Sequence, residues 1–293
     1  MTRRIYLRAA ALAVAALAVI AGLTVYFSTQ TTPPCLVTGI PKWRAPADEN
    51  VHRFELVVPD RALCFFDMDH GQALVGYLKL PGIRGVTSIA PRGGTLALRY
   101  GDGRGALVDL RSGSVRSGVQ PPPRPSDKIL VYDAARDVKY VTRRGVFGVE
   151  VISPREPTTK LTFPGFTWNP RFGPNPPDHG LSLAPDRPEL WVLDAPNNVV
   201  HLFDLTGQPR DVKNIRLTKP LIGAEDPCGS HNCKRIGSLQ HSADGRFVYV
   251  GDAGDVIDTT KREEIANLEA LRQSRLTIEV DWANGKPEFP AAR

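Results

Sequence analysis

ELWVLDAPNNVVHLFDLTG, residues 189–207, carries the clearest signal of the fold in this chain. An apolar run ends in a turn with Asn197 and Asn198, a second apolar run follows, and Asp204 opens another tight turn that ends at Gly207. Short apolar runs separated by polar turn residues are typical of antiparallel strands joined by hairpins. The stretch is therefore half of a four-stranded antiparallel unit, and weaker copies of it occur before and after.

An acidic residue that closes an apolar triplet and opens a turn recurs along the chain. It occurs at Asp67, Asp109, Asp204 and Asp258, with a degenerate copy at Glu150. The first two steps between these anchors fit the repeat of about 40–45 residues of a propeller blade, and the last two need insertions of roughly a dozen residues. Segments rich in Pro, Gly and Asn at 168–177 and 219–234 supply them. Because carboxylates accept backbone N–H bonds in tight turns, we expect the repeated acids to stabilise turns.

Two stretches, WVLDAPNNVVHLFDLTG and FVYVGDAGDVIDTT, resemble the YVTN-type repeats of bacterial surface and periplasmic propellers. The usual pattern of that family is an apolar pair, a turn with Asn or Gly, a strand ending in Asp, and then Thr-x-Thr or a Gly turn. The resemblance covers most of residues 54–282. It implies a β-propeller, often of the seven-bladed kind related to quinoprotein amine dehydrogenases, although only five anchors are countable in this chain.

The predicted fold is all-β, a β-propeller of five to six four-stranded blades. Alternation within single runs, as at Leu96, Leu98 and Tyr100, predicts strands with a buried face. The C-terminal RLTIEVDW and the hairpin after it supply strands with no anchor behind them, and the N-terminal ELVVPD has little before it. Pairing these N- and C-terminal strands would close the ring and remove exposed sheet edges. A sixth blade could form from residues 36–58 together with the C-terminal hairpin.

The N-terminal segment has the pattern of an export element. Arg3, Arg4 and Arg8 precede the uncharged run 9–27, which is long enough to span a bilayer as one helix. TRRIYLR resembles the twin-arginine export signal, and the alternative is the ordinary basic start of a Sec signal or anchor. We prefer an uncleaved anchor, so one N-terminal transmembrane or signal helix precedes the propeller.

Three segments follow from this organisation: an export segment or signal anchor at 1–30, a linker at 31–53 and the propeller domain at 54–293. Positive charge before the apolar run places the N-terminus in the cytoplasm and the propeller outside. We therefore predict a cell-membrane protein with an extracytoplasmic propeller in the periplasm or at the cell surface, in which residues 9–27 contact the membrane. The net charge of +6 is spread along the chain, so we expect no nucleic-acid partner.

Four cysteines lie outside the leader, and an even number in an oxidising compartment suggests disulfides. Three pairings are open. Cys228–Cys233 is favoured because the pair brackets a tight Gly-Ser-His-Asn loop, which leaves Cys35–Cys64. The alternative for CGSHNC is a metal site in which His231 joins the two thiolates, but the spacing lacks a second ligand pair. We predict no metal and no cofactor.

Two histidines and one insertion are the candidate ligand-binding residues. His179 begins a predicted inner strand, whose ends face the pocket of a propeller, and Asp178 beside it could fix the tautomer of a general base. His241 lies at the other end of the next inner strand. The insertion adds aromatic and guanidinium surface, the kind of group favoured in binding patches, at Trp168, Arg171 and Phe172.

Two functions fit this sequence. The first is a membrane-anchored, extracytoplasmic propeller that acts as a binding or scaffold module for a protein partner in the cell envelope or for a small ligand. The second is a periplasmic propeller enzyme, a lactonase-like hydrolase or a quinoprotein-dehydrogenase-like subunit, with His179 and Asp178 as acid/base residues. Motifs of nucleophile elbows, phosphate loops and metalloproteases are absent from the sequence. The binding module is therefore our first hypothesis.

Overall fold

The computed structural model describes residues 34–36, 39–59, 61–81, 85–123, 129–143, 145–168, 180–219, 221 and 237–290. These belong to one unit, Pro34–Arg293. The helix expected over residues 1–30 lies outside the described residues. Within the described ranges, no helix has the length and apolar character needed to cross a membrane.

The described residues fold into antiparallel strands that follow the predicted runs. The first three strands are β1 (His52–Val57), β2 (Ala62–Asp67) and β3 (Ala73–Lys79). Sheet 2 contains β4 (Val86–Arg92), β5 (Thr95–Tyr100), β6 (Gly105–Asp109) and β7 (Ser114–Val119). Sheet 3 contains β8 (Leu130–Asp133), β9 (Val138–Val141), β10 (Val149–Ile152) and β11 (Thr159–Leu161).

The second half of the chain repeats this plan. Sheet 4 contains β12 (Gly180–Leu183), β13 (Glu189–Asp194), β14 (Val199–Asp204) and β15 (Arg210–Arg216). Sheet 5 contains β16 (Ser238–His241), β17 (Phe247–Gly251), β18 (Asp255–Asp258) and β19 (Glu263–Asn267). The C-terminal hairpin is β20 (Thr277–Ala283) and β21 (Lys286–Glu288). Five antiparallel sheets in chain order are consistent with the predicted β-propeller.

The two ends of the chain meet in one sheet, as predicted. Sheet 1 has the order β21-β20-β1-β2-β3, so the C-terminal hairpin completes the sheet of the first anchor. The β1–β20 register runs from His52 opposite Trp282 to Val57 opposite Thr277. The expectation of a sixth blade from residues 36–58 and the C-terminal hairpin is wrong, because β1 and the two strands of the hairpin belong to sheet 1, which has five strands.

Apolar side chains fill four boundaries between neighbouring sheets. One cluster joins sheets 1 and 2, a second joins sheets 1 and 5, a third joins sheets 4 and 5, and a fourth joins sheets 3 and 4. Phe247 and Tyr249 face sheet 1, whereas Val248 and Val250 face sheet 4. Successive residues of a strand point to opposite faces, so a strand between two neighbours is apolar on both faces. In the described part of the chain, none of these clusters joins sheets 2 and 3.

The repeated acids stabilise turns, as predicted. Asp67, Asp109 and Asp258 each accept two backbone N–H bonds from the residues two and three positions later. Asp204 accepts one from Thr206. In three of these turns, the residue four positions after the acid has a positive φ. This residue is a glycine in two of them, Gly71 and Gly113, and it is Arg262 in the turn after Asp258.

The prediction for Glu150 is wrong. Glu150 lies inside β10, and its carboxylate pairs with Arg143 at 2.7 Å instead of closing the strand. A turn of the same kind in sheet 3 lies between β8 and β9 and is capped by Asp133, which accepts the backbone N–H groups of Ala135 and Arg136. In this sheet the acid closes the first strand, not the third, so counting by even spacing selected the wrong residue.

Part of the predicted linker packs against sheet 1. The expected disulfide Cys35–Cys64 is present, with Cα atoms 5.7 Å apart. Trp43 stacks on Phe65 with ring centroids 3.8 Å apart, and its indole N–H donates to the carbonyl oxygen of Leu110 at 2.8 Å. These contacts fix the chain before β1 to sheets 1 and 2.

Candidate functional site

A groove lies between sheets 3 and 4, where residues of the β8–β9 turn approach those of the β12–β13 turn. Its volume is about 740 Å³, within the range of about 300–1,000 Å³ that is usual for small-molecule pockets. Tyr132, which is 50% exposed, contributes an aromatic ring. The apolar walls come from Ala134, Ala135, Leu183, Pro185, Pro188 and Leu205.

The charged groups of the groove have partners within the fold. Asp133 Oδ2 accepts a bond from Arg136 Nη1 at 2.7 Å, and Arg136 Nε donates to the carbonyl oxygen of Leu205 at 3.1 Å. Arg187 Nε donates to Asp186 Oδ1 at 3.0 Å. Because Asp133 also accepts two backbone N–H bonds of its own turn, the wall that it forms is fixed. The groove is therefore preformed and mostly apolar, with two ion pairs.

Arg187 fixes the β12–β13 turn against sheet 5. Its Nη2 donates to the carbonyl oxygen of Gly245 at 2.9 Å and to Thr259 Oγ1 at 2.7 Å. A second bond between the sheets runs from Arg262 Nη2 to Glu189 Oε1 at 2.9 Å. Arg187, Glu189 and Arg262 also line an adjoining cavity of about 300 Å³. One wall of the groove is thus held by the neighbouring sheet.

His241, a candidate from the sequence, is the last residue of β16 and is buried against Ser182 of β12. Ser182 Oγ lies 2.7 Å from His241 Nδ1 and accepts the backbone N–H of His241 at 3.2 Å. Trp191 packs edge-on against the imidazole. Within the described residues, Nε2 of His241 is buried without a hydrogen-bond partner. Ser182 and His241 both line a cavity of about 180 Å³ that shares Leu183 and Pro185 with the groove.

A serine hydroxyl beside an imidazole resembles a nucleophile with its general base, so the basicity of the imidazole decides its chemistry. Burial, reinforced by the positive charge of Arg187, lowers the pKa of His241 to about 3. General bases work best when their pKa is near the operating pH, and such a weak base takes up a proton poorly at neutral pH. Ser182 and His241 therefore form a neutral, buried hydrogen bond between sheets 4 and 5.

A second buried histidine, His201 of β14, has the opposite environment. Its Nδ1 donates to Asp211 at 2.8 Å and its Nε2 lies 3.4 Å from Asp194. The ring stacks on Phe163 with centroids 4.3 Å apart. Burial alone would lower the pKa of His201, but the hydrogen bonds to both carboxylates outweigh it and raise the pKa above its ordinary value. The two acids therefore favour the protonated, cationic form of His201.

The structure places the other predicted site residues as follows. Trp168 is half-buried, and the carbonyl oxygen of Thr167 before it accepts a bond from Asn197 Nδ2 at 3.4 Å, beside the end of β13. His241 lies at the opposite end of the neighbouring strands, so the structure does not bring Trp168 and His241 into one site. The residues that fall outside the described ranges are Arg171, Phe172, Asp178, His179, Cys228, His231 and Cys233. Among the side chains that are described, no three His, Cys, Asp or Glu residues are grouped to hold a metal.

Sequence reasoning missed the groove and the His201 cluster. Asp133 accepts backbone N–H bonds from the residues two and three positions later, the second of which is Arg136. Asp109 and Asp258 make the same pair of bonds, so this local turn signal could have identified the turn. Ser182 gave no signal, because its partner is 59 residues away. His201 stands in the middle of an apolar run between Val200 and Leu202, where a buried histidine needs a charged or polar partner. Its partners Asp194 and Asp211 lie in neighbouring strands.

Comparison with known proteins gives only distant structural similarity. No family model matches the sequence, and no curated protein matches it. The β-propeller domain of Cps50 (Swd1) from Myceliophteria thermophila is similar with a TM-score of 0.31 and 17% identity, over 64% of this chain and 55% of that one. A protein from Lactobacillus plantarum is similar with a TM-score of 0.32 and 15% identity, over 75% of this chain and 66% of that one. This chain thus spans less than two thirds of the length of either protein.

Proposed function

We propose that this chain is a membrane-anchored, extracytoplasmic β-propeller of the YVTN type that binds a protein or a small ligand. The groove of about 740 Å³ between sheets 3 and 4 is the observation that carries the proposal. It combines apolar walls with a few fixed polar groups, the composition expected of a ligand site. Tyr132 adds the kind of exposed aromatic side chain that is enriched at binding hot spots.

Preorganisation supports binding at this groove. Asp133 and Arg136 fix the turn of sheet 3, and Arg187 ties the turn of sheet 4 to sheet 5. A site that is already ordered loses less conformational freedom when its ligand binds, which improves affinity. The Asp133–Arg136 and Asp186–Arg187 pairs leave no net charge on the two turns, so we expect an occupant that contributes mainly apolar surface.

The alternative is a periplasmic enzyme, and the two buried histidines give it no support. His241 is too weak a base at neutral pH, and His201 is fully buried between Asp194 and Asp211. An acid/base residue must also reach the substrate. Asp178 and His179 stay the candidates for this alternative, and loss of turnover in His179→Ala with retained folding is the result that would favour it.

The leader and the disulfide support an extracytoplasmic location. Residues 9–27 carry no charge and follow three arginines, the arrangement that keeps the N-terminus in the cytoplasm. Cys35–Cys64 is the kind of bond that persists in oxidising compartments. The outer layer of the cells is made permeable while the cytoplasmic membrane stays closed, and protease is then added. The protease should digest the domain after residue 54 and leave a cytosolic marker protein intact. Protection of the domain would contradict this location.

Site-directed photo-cross-linking tests the groove. Benzoylphenylalanine replaces Ala135, an exposed residue that lines the groove, in the full-length chain expressed in its own cells. The control position is Ser117 of β7, which is exposed and lies outside the groove. We expect an adduct of defined mass from position 135 and not from position 117. Adding Ala134→Asp should reduce that adduct, because a carboxylate in the apolar wall disfavours apolar contact.

Two outcomes would contradict the binding groove. One is the same set of adducts from positions 135 and 117, which would mean random encounter. The other is the absence of any adduct of defined mass from position 135. The mass of the intact adduct separates a small ligand from a protein partner.

A further inference from the structure

The contact between the first and last strands of the fold places two carboxyl groups side by side. Glu55 of β1 lies opposite Glu279 of β20. Glu55 is 0% exposed and Glu279 is 5% exposed. Residues that face each other on antiparallel strands have Cβ atoms about 4.5–5.5 Å apart, and like charges there destabilise the pair. Two buried anions at this position would oppose the strand pairing that completes sheet 1.

Glu279 has the partners that an ionised carboxylate needs. Arg53 Nη2 donates to its Oε1 at 2.9 Å, and the backbone N–H of Ala243 donates to its Oε2 at 2.6 Å. Burial alone would lower the pKa of Arg53. Its bonds to Glu279 and Asp244 outweigh this effect and raise the pKa above its ordinary value, so the guanidinium stays charged. Glu279 is therefore the ionised member of the pair.

Glu55 has no comparable partner. In the described part of the chain, neither of its side-chain oxygens has a hydrogen-bond partner. Tyr249 of β17 lies within electrostatic reach of Glu55, but its hydroxyl donates to Gln72 at 3.2 Å. Arg53 directs its guanidinium to other acids, the carboxylates of Asp69, Asp244, Glu279 and Asp281. A carboxyl group in this position is more stable with its proton than without it.

The titratable and charged groups around this site come from every element packed there. They are Arg53 on β1, Glu279 and Asp281 on β20, Tyr249 on β17, Asp244 in the β16–β17 turn, Asp69 after β2, and Arg246, which pairs with Asp69. Burial, together with the negative charge of Glu279, raises the pKa of Glu55 well above its ordinary value. An isolated carboxylate in an apolar interior is costly, so such a group neutralises by keeping its proton.

We propose that a proton held by Glu55 beside the ionised Glu279 acts as a latch on the β1–β20 contact, and that loss of this proton opens the contact. Deprotonation would leave two buried carboxylates on adjacent strands, while Arg53 is already bonded to Glu279 and Asp244. More than 200 residues separate β1 from β20, so the contact depends on the strand ladder and the side chains alone. The latch is independent of the groove between sheets 3 and 4.

The sign of the pH effect follows from linkage. A carboxyl group whose pKa is raised in the folded state binds more protons there than in the unfolded state, so stability falls as pH rises from the ordinary pKa to the raised one. Within that window a single proton changes the opening equilibrium by at most about tenfold per pH unit. The effect should appear in β1 and β20 and not in the strands of sheet 4.

Hydrogen exchange of the full-length chain between mildly acidic and mildly alkaline pH measures this opening directly. After correction for the intrinsic exchange rate, protection of β1 and β20 amides should fall with pH by up to about tenfold per unit, whereas protection of β13 and β14 should change little. Glu55→Gln, which cannot ionise, should keep β1 and β20 protected throughout. Glu263→Gln on the exposed strand β19 is the matched control and should behave like the wild type.

Parallel pH profiles for the wild type and Glu55→Gln would overturn the latch. Glu279→Gln supplies a second variant: without the neighbouring anion the pKa of Glu55 should fall, so the loss of protection should be complete at a lower pH.

Difference infrared spectra give a readout that does not depend on exchange. At mildly acidic pH, above the ordinary pKa of a glutamate, the wild type should show a protonated-carboxyl band that Glu55→Gln lacks, and a wild-type spectrum without that band would also overturn the proposal.

Discussion

His201 and His241 are both buried in sheets 4 and 5, yet their surroundings shift their pKa values in opposite directions. His201 contacts two carboxylates, and its pKa is raised. His241 contacts a hydroxyl group and lies near Arg187, and its pKa is lowered to about 3. Burial disfavours the charged form of both rings. The charges of the neighbouring side chains therefore decide which histidine keeps a proton.

The comparison also separates two kinds of connection within the fold. The His201 cluster links three strands of sheet 4, and Phe163 beyond β11 covers the ring. The Ser182–His241 bond instead links the first strands of sheets 4 and 5. An ionic cluster is costly to break on one side because it leaves buried charges behind. A neutral hydrogen bond is worth less, roughly 0.5–1.5 kcal/mol net.

The largest expected effect is that of His201→Ala. Removing the protonated imidazole leaves Asp194 and Asp211 buried without their cation, so the free energy of unfolding near pH 6.5, the ordinary pKa of histidine, should fall by about 3–5 kcal/mol. His241→Ala should cost less, about 1–3 kcal/mol, because it leaves only a hydroxyl group unpaired. Urea unfolding of the full-length chain measures both values.

His70→Ala is the control for these variants, because its side chain is 78% exposed and a surface change should stay within about 0.5 kcal/mol. Adding Asp211→Asn to His201→Ala should recover part of the loss, since it removes one unpaired charge. Equal losses for His201→Ala and His241→Ala would mean that the charge assignment is wrong.

The next effect is a pH dependence of opposite sign for the two histidines. The stabilisation from His201 should be complete below its ordinary pKa of 6.5 and should be lost as pH rises through its raised folded pKa. The folded pKa of His241 is depressed, so its contribution should be lost as pH falls from 6.5 towards about 3. Unfolding free energies measured against pH for His201→Gln and His241→Gln should each lack one of these losses. Identical profiles for the two variants would contradict the assignment.

The smallest expected effect is that of Ser182→Ala, which should lower the free energy of unfolding by about 1 kcal/mol. The variant also sharpens the comparison. A hydroxyl that donates to Nδ1 favours the neutral imidazole, so if Ser182 is the donor its removal should move the pKa of His241 upwards, towards that of an ordinary histidine. An NMR titration of the imidazole checks this shift, and an unchanged or lower pKa would show that Ser182 is not the donor.

Much of the fold could be predicted because strands carry local signals. The runs TLALRY, ELWVLD and FVYVG form β5, β13 and β17, and their alternation follows from side chains that point to opposite faces. The acids Asp67, Asp109 and Asp258 were recognisable because a turn cap bonds to residues two and three positions away. Glu150 failed because even spacing carries no information about hydrogen bonds.

Much less of the candidate site could be predicted. His241 was selected from its place at the end of a strand, but its partner Ser182 comes from another sheet. The groove depends on Asp133, Arg136 and Arg187, whose contacts cross between sheets. Contacts between residues far apart in the chain leave no periodic pattern, so no reading of one segment reveals them.

The sequence alone was enough to predict most strands, the turns capped by Asp67, Asp109, Asp204 and Asp258, and the pairing of the N- and C-terminal strands, since hydrophobic alternation and turn chemistry act locally. It favoured Cys35–Cys64 among three possible pairings, and the structure contains that bond. The remaining features required the three-dimensional structure: the terminal strands complete the first sheet, the surroundings raise the pKa of His201 and lower that of His241, and Glu55 stands opposite Glu279. These outcomes depend on which side chains from distant segments share a low-dielectric interior, because the free energy of a buried charge is set by its neighbours in space.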